Sequence, residues 1–387
     1  MDLDERFSWI FSSPPSKHAR SPGRVNLLGE HVDYNNGPVL PAAIDRTLEI
    51  AFRPTRDELA TIAALDLGET VQFSLAGLES KEDTQKAPLP TWAHYPAGVA
   101  WVLKRRGLTI KGMQAAFTSN IPIGSGLSSS AALEVGFAVA WQYLGEWDMD
   151  RLQLARLCQQ AENEYVGVSC GLMDQFACAC GIADHALYFD TRSLEYRPAP
   201  LPPGISIVIA DSGVRRSLAS SGYNDRRAAC EQAVRLLQNY LPEIRSLRDL
   251  SPPVFAAYSN RLPELVQRRA EHVVKEIARV ESAVVALQKH DERSLGALLY
   301  ASHASLRDLY EVSTPELDAL VEIARGLDGV IGARLTGAGF GGCTVNLVRD
   351  DAAEAVSLEM SKQYQERTGR LAQIFICYAS QGAQVLD

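Results

Sequence analysis

The sequence predicts an α+β protein of two lobes with a ligand cleft between them. Three observations carry that expectation. β-rich runs dominate the first half, long helical stripes dominate the second, and a Pro-rich, apolar-poor stretch lies between them. That stretch is RPAPLPPG, Arg197 to Gly204, the best linker or domain-edge candidate, and it divides the chain into expected units 1–200 and 201–387. A chain of 387 residues can give each unit a core of its own.

The strand signals come first. TLEIAF from Thr47, VQFSL from Val71 and MQAAF from Met113 are β-rich, as are ALYFD from Ala186 and ISIVIAD from Ile205. In RLQLARLCQQAENEY, Leu154, Cys158, Ala161 and Tyr165 recur at helical spacing. NDRRAACEQAVRLLQNY, LPELVQRRAEHVVKEIARVESAVVALQKH and SLGALLYASHASLRDLY keep an apolar stripe and predict long helices. STPELDALVEIARGL shows a helix start, with Ser313 or Thr314 as cap, Pro315 in the first turn and Glu316 near the positive end. CTVNLV from Cys343 and QIFICY from Gln373 are late strands flanking a last helix.

Charge and composition exclude several classes. A net charge of −9 argues against nucleic-acid binding, which favours a basic face. The N-terminus has no long apolar core, and no run approaches ~18 apolar residues, so neither a secretory signal nor a membrane span is expected. The seven cysteines, with Cys170, Cys178 and Cys180 close together, lack zinc-site spacing and are read as free thiols in a reducing cytoplasm.

Four stretches carry chemistry. The first is IPIGSGLSSSAALEVG, Ile121 to Gly136. Gly124 and Gly126 allow a ligand close to the main chain, and Ser128, Ser129 and Ser130 lie where a helix begins. The helix that follows is apolar nearly all round, so it is expected to be buried. Its free N–H groups and partial positive charge suit an anion, phosphate above all. A plain turn with a serine cap fits the same residues. No lysine of the GxxxxGK[ST] loop is present, which leaves amides, hydroxyls and a metal ion to balance phosphate charge.

The second stretch runs from Ser21 to Asp45 and packs Arg24, Asn26, Glu30, His31, Asp33, Tyr34, Asn35 and Asn36 together. Val25, Leu27 and Leu28 are interleaved with the polar residues, which predicts a half-buried strand offering polar groups to a cleft. Such a set suits a hydroxyl-rich ligand such as a sugar, because each hydroxyl both donates and accepts. The third stretch, AENEYVGVSCGLMDQFACACG, holds Glu162 and Asp174. Glu162 lies beside the apolar stripe of its helix, either as a surface neighbour of the core or as a cation holder in the cleft. Asp174 is bracketed by apolar and small residues, where an ionisable group is expected to be paired or functional. The fourth, LTGAGFGGCTVNLV from Leu335, is a second glycine-rich loop entering a strand.

These stretches resemble a known family. PGRVNLLGEHVDYNNG, from Pro22 to Gly37, resembles the galactokinase signature. PIGSGLSSSAA and LTGAGFGGC resemble the ATP-binding and third motifs of the GHMP kinases, named for galactose, homoserine, mevalonate and phosphomevalonate. The likeness continues through AENEYVGVSCGLMDQF, SSGYNDRRAACE and SHASLRDLYEVSTPELD, and so spans nearly the whole chain.

The resemblance implies a two-lobe GHMP kinase fold with the active site in the cleft. It also implies transfer of the γ-phosphoryl group of ATP to the 1-hydroxyl of galactose, in galactose catabolism. By the same likeness Asp174 is the catalytic base and Arg24 lies beside it, while Glu30, His31, Asp33 and Tyr223 bind the sugar. Gly124, Ser125, Gly126, Leu127, Ser128, Ser129 and Ser130 hold the nucleotide, and Ser130 with Glu162 binds Mg²⁺. The expected partners are galactose and ATP, with no nucleic acid and no membrane, and the expected assembly is a monomer or at most a weak dimer. Ser21 and Val32 stand where many members have alanine and threonine. Two other readings share the motifs: a non-catalytic sugar and ATP sensor, and a kinase for a modified galactose such as N-acetylgalactosamine. The intact Arg24, Asp174 and SSSAA run argue against the sensor.

Overall fold

The computed structural model describes residues 1–122, 124–214 and 219–386, the side chains of 219–221 excepted. Ile123, inside the glycine-serine motif, therefore lies outside the described residues, as do the first two side chains of SSGYNDRRAACE.

The strands are β1 (Lys17–Asn26), β2 (Pro38–Val39), β3 (Pro41–Pro54), β4 (Leu59–Ala64), β5 (Glu69–Ser74), β6 (Met113–Ser119) and β7 (His185–Asp190). They continue as β8 (Tyr196–Pro200), β9 (Ile205–Asp211), β10 (Val330–Thr336), β11 (Cys343–Arg349), β12 (Gln373–Cys377) and β13 (Gln384–Leu386). Among the described residues they form three sheets, ordered β13-β1-β3-β6-β4-β5, β10-β11-β9-β12 and β2-β7-β8. The chain's last strand thus returns to pair antiparallel with β1 in the first sheet.

Alternation along β3 explains how the first sheet is covered. Ile50 and Phe52 join the main core with the helix Ser129–Gly145, whereas Ala51 joins Phe7 of the helix Leu3–Phe11. Successive side chains of a strand face opposite ways, so one helix lies on each face. The Ser129–Gly145 helix is buried along nearly all of its length, as its apolar sequence predicts. The second sheet packs against the helices Pro315–Arg325 and Ala353–Thr368 and builds a separate cluster around Leu320, Met360 and Tyr364. Thr314 caps the first of these through a 3.3 Å bond from the Leu317 N–H, with Pro315 in its first turn. That agrees with the start signal in the sequence.

Two expectations need correction. The Pro-rich stretch from Arg197 is not a free linker over its whole length, because it carries β8, antiparallel to β7 at a sheet edge. An edge tolerates proline because the missing N–H breaks no interior ladder. The Arg24 segment is not half-buried: β1 is buried from Ser21 to Asn26, and Leu27 to Val32 stay buried beyond it. Over this stretch β1 pairs with β3, and the helices Ser129–Gly145 and Met173–Cys180 pack on it, so little of it meets solvent outside the cavity.

Candidate active site

The residues singled out in the sequence converge on one cavity of about 650 Å³. Arg24, Glu30, His31, Asp33, Gly124, Gly126, Ser128, Ser129, Ser130, Glu162, Asp174 and Tyr223 all line it. Ser125 and Leu127 do not. Both are buried behind the loop, and the Ser125 hydroxyl is spent on the Pro122 carbonyl at 2.7 Å.

Arg24 is brought into the cavity by a defect in the sheet. The β1–β3 register shifts between Pro22 and Arg24. Such bulges recur beside active sites because they re-aim a side chain. Gly23 permits it, since a Cβ there would sit 2.9 Å from the Leu127 carbonyl oxygen. Leu127 in turn accepts from the Arg24 N–H at 3.1 Å, so the glycine-serine loop runs along the bulge.

The Arg24 guanidinium then makes three bonds. Nε donates to Asp174 Oδ1 at 2.8 Å, Nη2 to Asp174 Oδ2 at 2.6 Å, and Nη1 to the Gly126 carbonyl at 2.5 Å. Burial opposes its charge, but Asp174 and Glu30 more than compensate, and Arg24 is held more firmly cationic than usual.

Ser128 does not act as a helix cap. Its φ of 60° puts a non-glycine residue in the left-handed region, and its hydroxyl donates to Asp174 Oδ2 at 2.6 Å and accepts no bond from a helix N–H. Strain of this kind persists where surroundings enforce it, often at functional sites. Asp174 stands in the first turn of the helix Met173–Cys180, and its side chain is 32 % exposed. Three of its roughly four acceptor positions are filled by Arg24 and Ser128, which leaves about one for a ligand hydroxyl.

Glu30 and His31 are held from both halves of the chain. Glu30 pairs with Arg334 at 3.0 Å and accepts from the Gly337 N–H at 2.7 Å. Burial pushes its pKa above the ordinary carboxylate range despite Arg334 and Arg24. His31 stands 2.9 Å from the Tyr34 hydroxyl through Nδ1 and 3.2 Å from the Ala338 carbonyl through Nε2. The carbonyl can only accept, so Nε2 carries a proton, and in the neutral ring Nδ1 then accepts from Tyr34. Tyr223 and Tyr310 flank the ring with centroids at 5.7 and 4.8 Å.

Asp33 packs against Gly171 so closely that a Cβ there would lie 1.6 Å from Oδ2. Burial, aided by the Asp174 and Glu30 charges, pushes the Asp33 pKa up to about 6. Its protonated form is therefore favoured in the fold, and ionising it costs stability as pH rises from its ordinary 3.8 through about 6.

Glu162 is buried and belongs to a π-helical segment, Ala161–Val166, that continues the helix Arg151–Gln160. π-turns displace a residue from the helical stripe and recur at functional sites. This is why α-helical spacing alone left Glu162 ambiguous. Its Oε2 accepts from Gln175 at 2.5 Å and from the Cys170 thiol at 3.1 Å, and Oε1 takes neither. Ser130 lines the same cavity. A hydroxyl and a carboxylate oxygen are hard donors of the type Mg²⁺ takes alongside phosphate oxygens, so the pair fits that ion.

Sequence reasoning missed the support behind the site. Arg334 is fully buried, donates through Nη1 to the Leu27 carbonyl at 3.0 Å, and lies between Glu30 and Glu276. Glu276, also fully buried, accepts from the Gly29 N–H at 2.9 Å and the Ser302 hydroxyl at 2.7 Å, and pairs with Arg279 at 2.6 Å. Burial works against its charge, but Arg279 and Arg334 outweigh it and bring its pKa down to about 2. The signal was an arginine inside the otherwise apolar GARLTG run.

Comparison with known proteins bears on the same residues. Residues 5–54 match the galactokinase galactose-binding signature, 94–182 the GHMP kinases N terminal domain and 283–366 the GHMP kinases C terminal family. A galactokinase of Roseiflexus sp. (strain RS-1) is 45 % identical over 387 residues, covering 100 % of this chain and 97 % of that protein. One from Chloroflexus aurantiacus is 45 % identical over 97 % of this chain and 95 % of its own length. The crystal structure of Lactococcus lactis galactokinase complexed with galactose superposes with a TM-score of 0.93 at 36 % identity, over 99 % of this chain and 98 % of that one. Methanococcus jannaschii mevalonate kinase, with a TM-score of 0.65 at 19 % identity over 94 % of this chain and 98 % of its own, shares the fold.

Proposed function

The chain belongs to the galactokinase family of GHMP kinases, and from that premise we propose how its cleft moves the γ-phosphoryl group of ATP to the 1-hydroxyl of α-D-galactose, giving galactose 1-phosphate and ADP. The observation that supports this most is the contact set at Asp174. Arg24 and Ser128 meet on one carboxylate, so the glycine-serine loop and the sugar segment share a single anchor.

Phosphoryl transfer leaves little covalent chemistry to the protein, so positioning and charge balance dominate. Gly124, Gly126, Ser128, Ser129 and Ser130 hold the triphosphate at the start of the Ser129–Gly145 helix, and Arg24 adds fixed positive charge. Ser130 and Glu162 would hold Mg²⁺, which would neutralise phosphate charge there; with Arg24 it would take the place of the lysine that the loop lacks. Glu30, His31, Asp33 and Tyr223 orient the sugar. Asp174 offers its remaining acceptor position to the 1-hydroxyl, aligns it, and takes its proton late, as the bond to phosphorus forms.

Sugar choice tests the reading. A site built to hydrogen-bond a hydroxyl rejects an analogue that misplaces it by factors on the order of 10⁴. kcat/KM for galactose should exceed that for glucose, its 4-epimer, by about that factor; equal values would remove these four residues as galactose readers.

A pH profile tests Asp33 separately. Above about 6 it is ionised and accepts hydroxyl protons; below, it is progressively neutral. KM for galactose should rise about tenfold between roughly pH 7 and pH 5, in step with the ionised fraction. Asp33→Asn should flatten that profile and raise KM, while Tm at neutral pH stays level or increases. A profile unchanged in Asp33→Asn would assign the titration elsewhere.

A further inference from the structure

We infer that Gln175 is a positioning residue for Glu162, anchored on Glu134 and holding the Glu162 carboxylate in one orientation for a divalent cation. The inference rests on the reading of Glu162 as a cation ligand.

Gln175 and Glu134 are both fully buried. The Gln175 side-chain NH₂ donates to Glu134 Oε2 at 2.9 Å and to Glu162 Oε2 at 2.5 Å. A side-chain amide has only two such hydrogens, so its donor capacity is fully committed.

The three residues join the three elements that carry the proposed chemistry. Glu134 lies one helical turn beyond Ser130 on the Ser129–Gly145 helix, so the two share a face. Gln175 follows Asp174 on the Met173–Cys180 helix. Glu162 sits in the π-helical segment. One amide thereby ties together the elements bearing Ser130, Asp174 and Glu162.

The arrangement is poor as mere packing. Glu134 Oε1 and Gln175 Oε1 are buried without a hydrogen-bond partner. Apolar side chains would fill the space without that penalty, and such exceptions call for a functional cause. Holding a ligand carboxylate from behind is one, and loss of such outer partners commonly weakens metal binding about 10–100-fold.

Mn²⁺ titration, followed by the electron-spin signal of the free ion in the presence of a non-hydrolysable ATP analogue, tests this alongside galactose affinity. Glu162→Gln should lose Mn²⁺ affinity by about tenfold or more. Gln175→Met, of similar volume but with no amide, should weaken Mn²⁺ by about 10–100-fold and leave galactose affinity within about twofold. If Glu162→Gln loses Mn²⁺ and Gln175→Met does not, the inference is overturned and the cation reading stands. If Glu162→Gln binds Mn²⁺ normally, the cation reading falls and this inference with it.

Should Gln175→Met fail to fold, or lose both ligands together, the partner position decides. Glu134→Gln keeps an acceptor for the Gln175 amide and should retain Mn²⁺ affinity, whereas Glu134→Leu removes the acceptor and should weaken Mn²⁺ but not galactose. Equal Mn²⁺ affinity in those two variants overturns the inference.

Discussion

Replacing Asp174 by asparagine is expected to lower kcat by about 10²–10⁴-fold with galactose and ATP saturating. The substitution keeps the side chain's shape. It removes one acceptor oxygen of the two that Arg24 Nε and Nη2 now occupy, and with it the place for the hydroxyl proton. It also leaves the buried Arg24 guanidinium facing an amide, so a moderate loss of stability should accompany the loss of rate. Galactose affinity should change less than kcat, because Glu30, His31, Asp33 and Tyr223 remain. Single-turnover phosphoryl transfer measures the chemical step directly, and near-normal kcat would take Asp174 out of the mechanism.

The second large effect is on stability. Arg334→Met should destabilise the fold by about 3–5 kcal/mol, the usual consequence of leaving a buried charge without its partner. Here two carboxylates lose it, since Arg334 stands 3.0 Å from Glu30 and 3.7 Å from Glu276. The two carboxylates differ: burial raises the Glu30 pKa, whereas Arg279 and Arg334 hold that of Glu276 down. Glu276 is depressed to about 2, so its contribution is fully present above its ordinary 4.5 and lost as pH falls through about 2. His272 is buried and brought down to about 3, so it stays neutral in the fold while an unfolded histidine gains a proton below its ordinary 6.5, and stability falls with acid there too. Chemical denaturation of Arg334→Met at neutral pH measures the loss, and a change under about 1 kcal/mol would show that the network adds little. The link to function is direct: Glu30 is held on one side by Arg334 and the Gly337 N–H, so sugar affinity should fall with stability.

Much of this was legible in the sequence, for physical reasons that differ by residue. The glycine-serine loop announced itself through residue types that only a close backbone approach and a helix start require. The Pro315 helix start and the buried helix after Ser130 were equally plain, because capping and apolar patterning are local. The pairing of Arg24 with Asp174 spans 150 residues of sequence, and no spacing rule joins them. Family resemblance supplied that pair, and the bulge at Pro22–Arg24 with the αL Ser128 explains how it is built.

Glu134, Gln175, Arg334 and Glu276 were not singled out. A buried polar residue declares itself only through its partner, and the partners here lie on other elements. The cue was present in ALEVGFAVAW and GARLTG, each a charged residue inside an apolar run. Glu162 stayed ambiguous because a π-turn is invisible to a 3.6-residue period. The Pro-rich stretch misled because proline marks edge strands as well as linkers.

The most direct measurement follows phosphorus itself. With α-D-galactose, ATP and Mg²⁺, ³¹P NMR of the reaction should show ADP and galactose 1-phosphate appearing in equal amounts, with Asp174→Asn and Arg24→Ala slow on the same substrates. Phosphate on another hydroxyl, or ADP formed at a rate independent of galactose, would contradict the account.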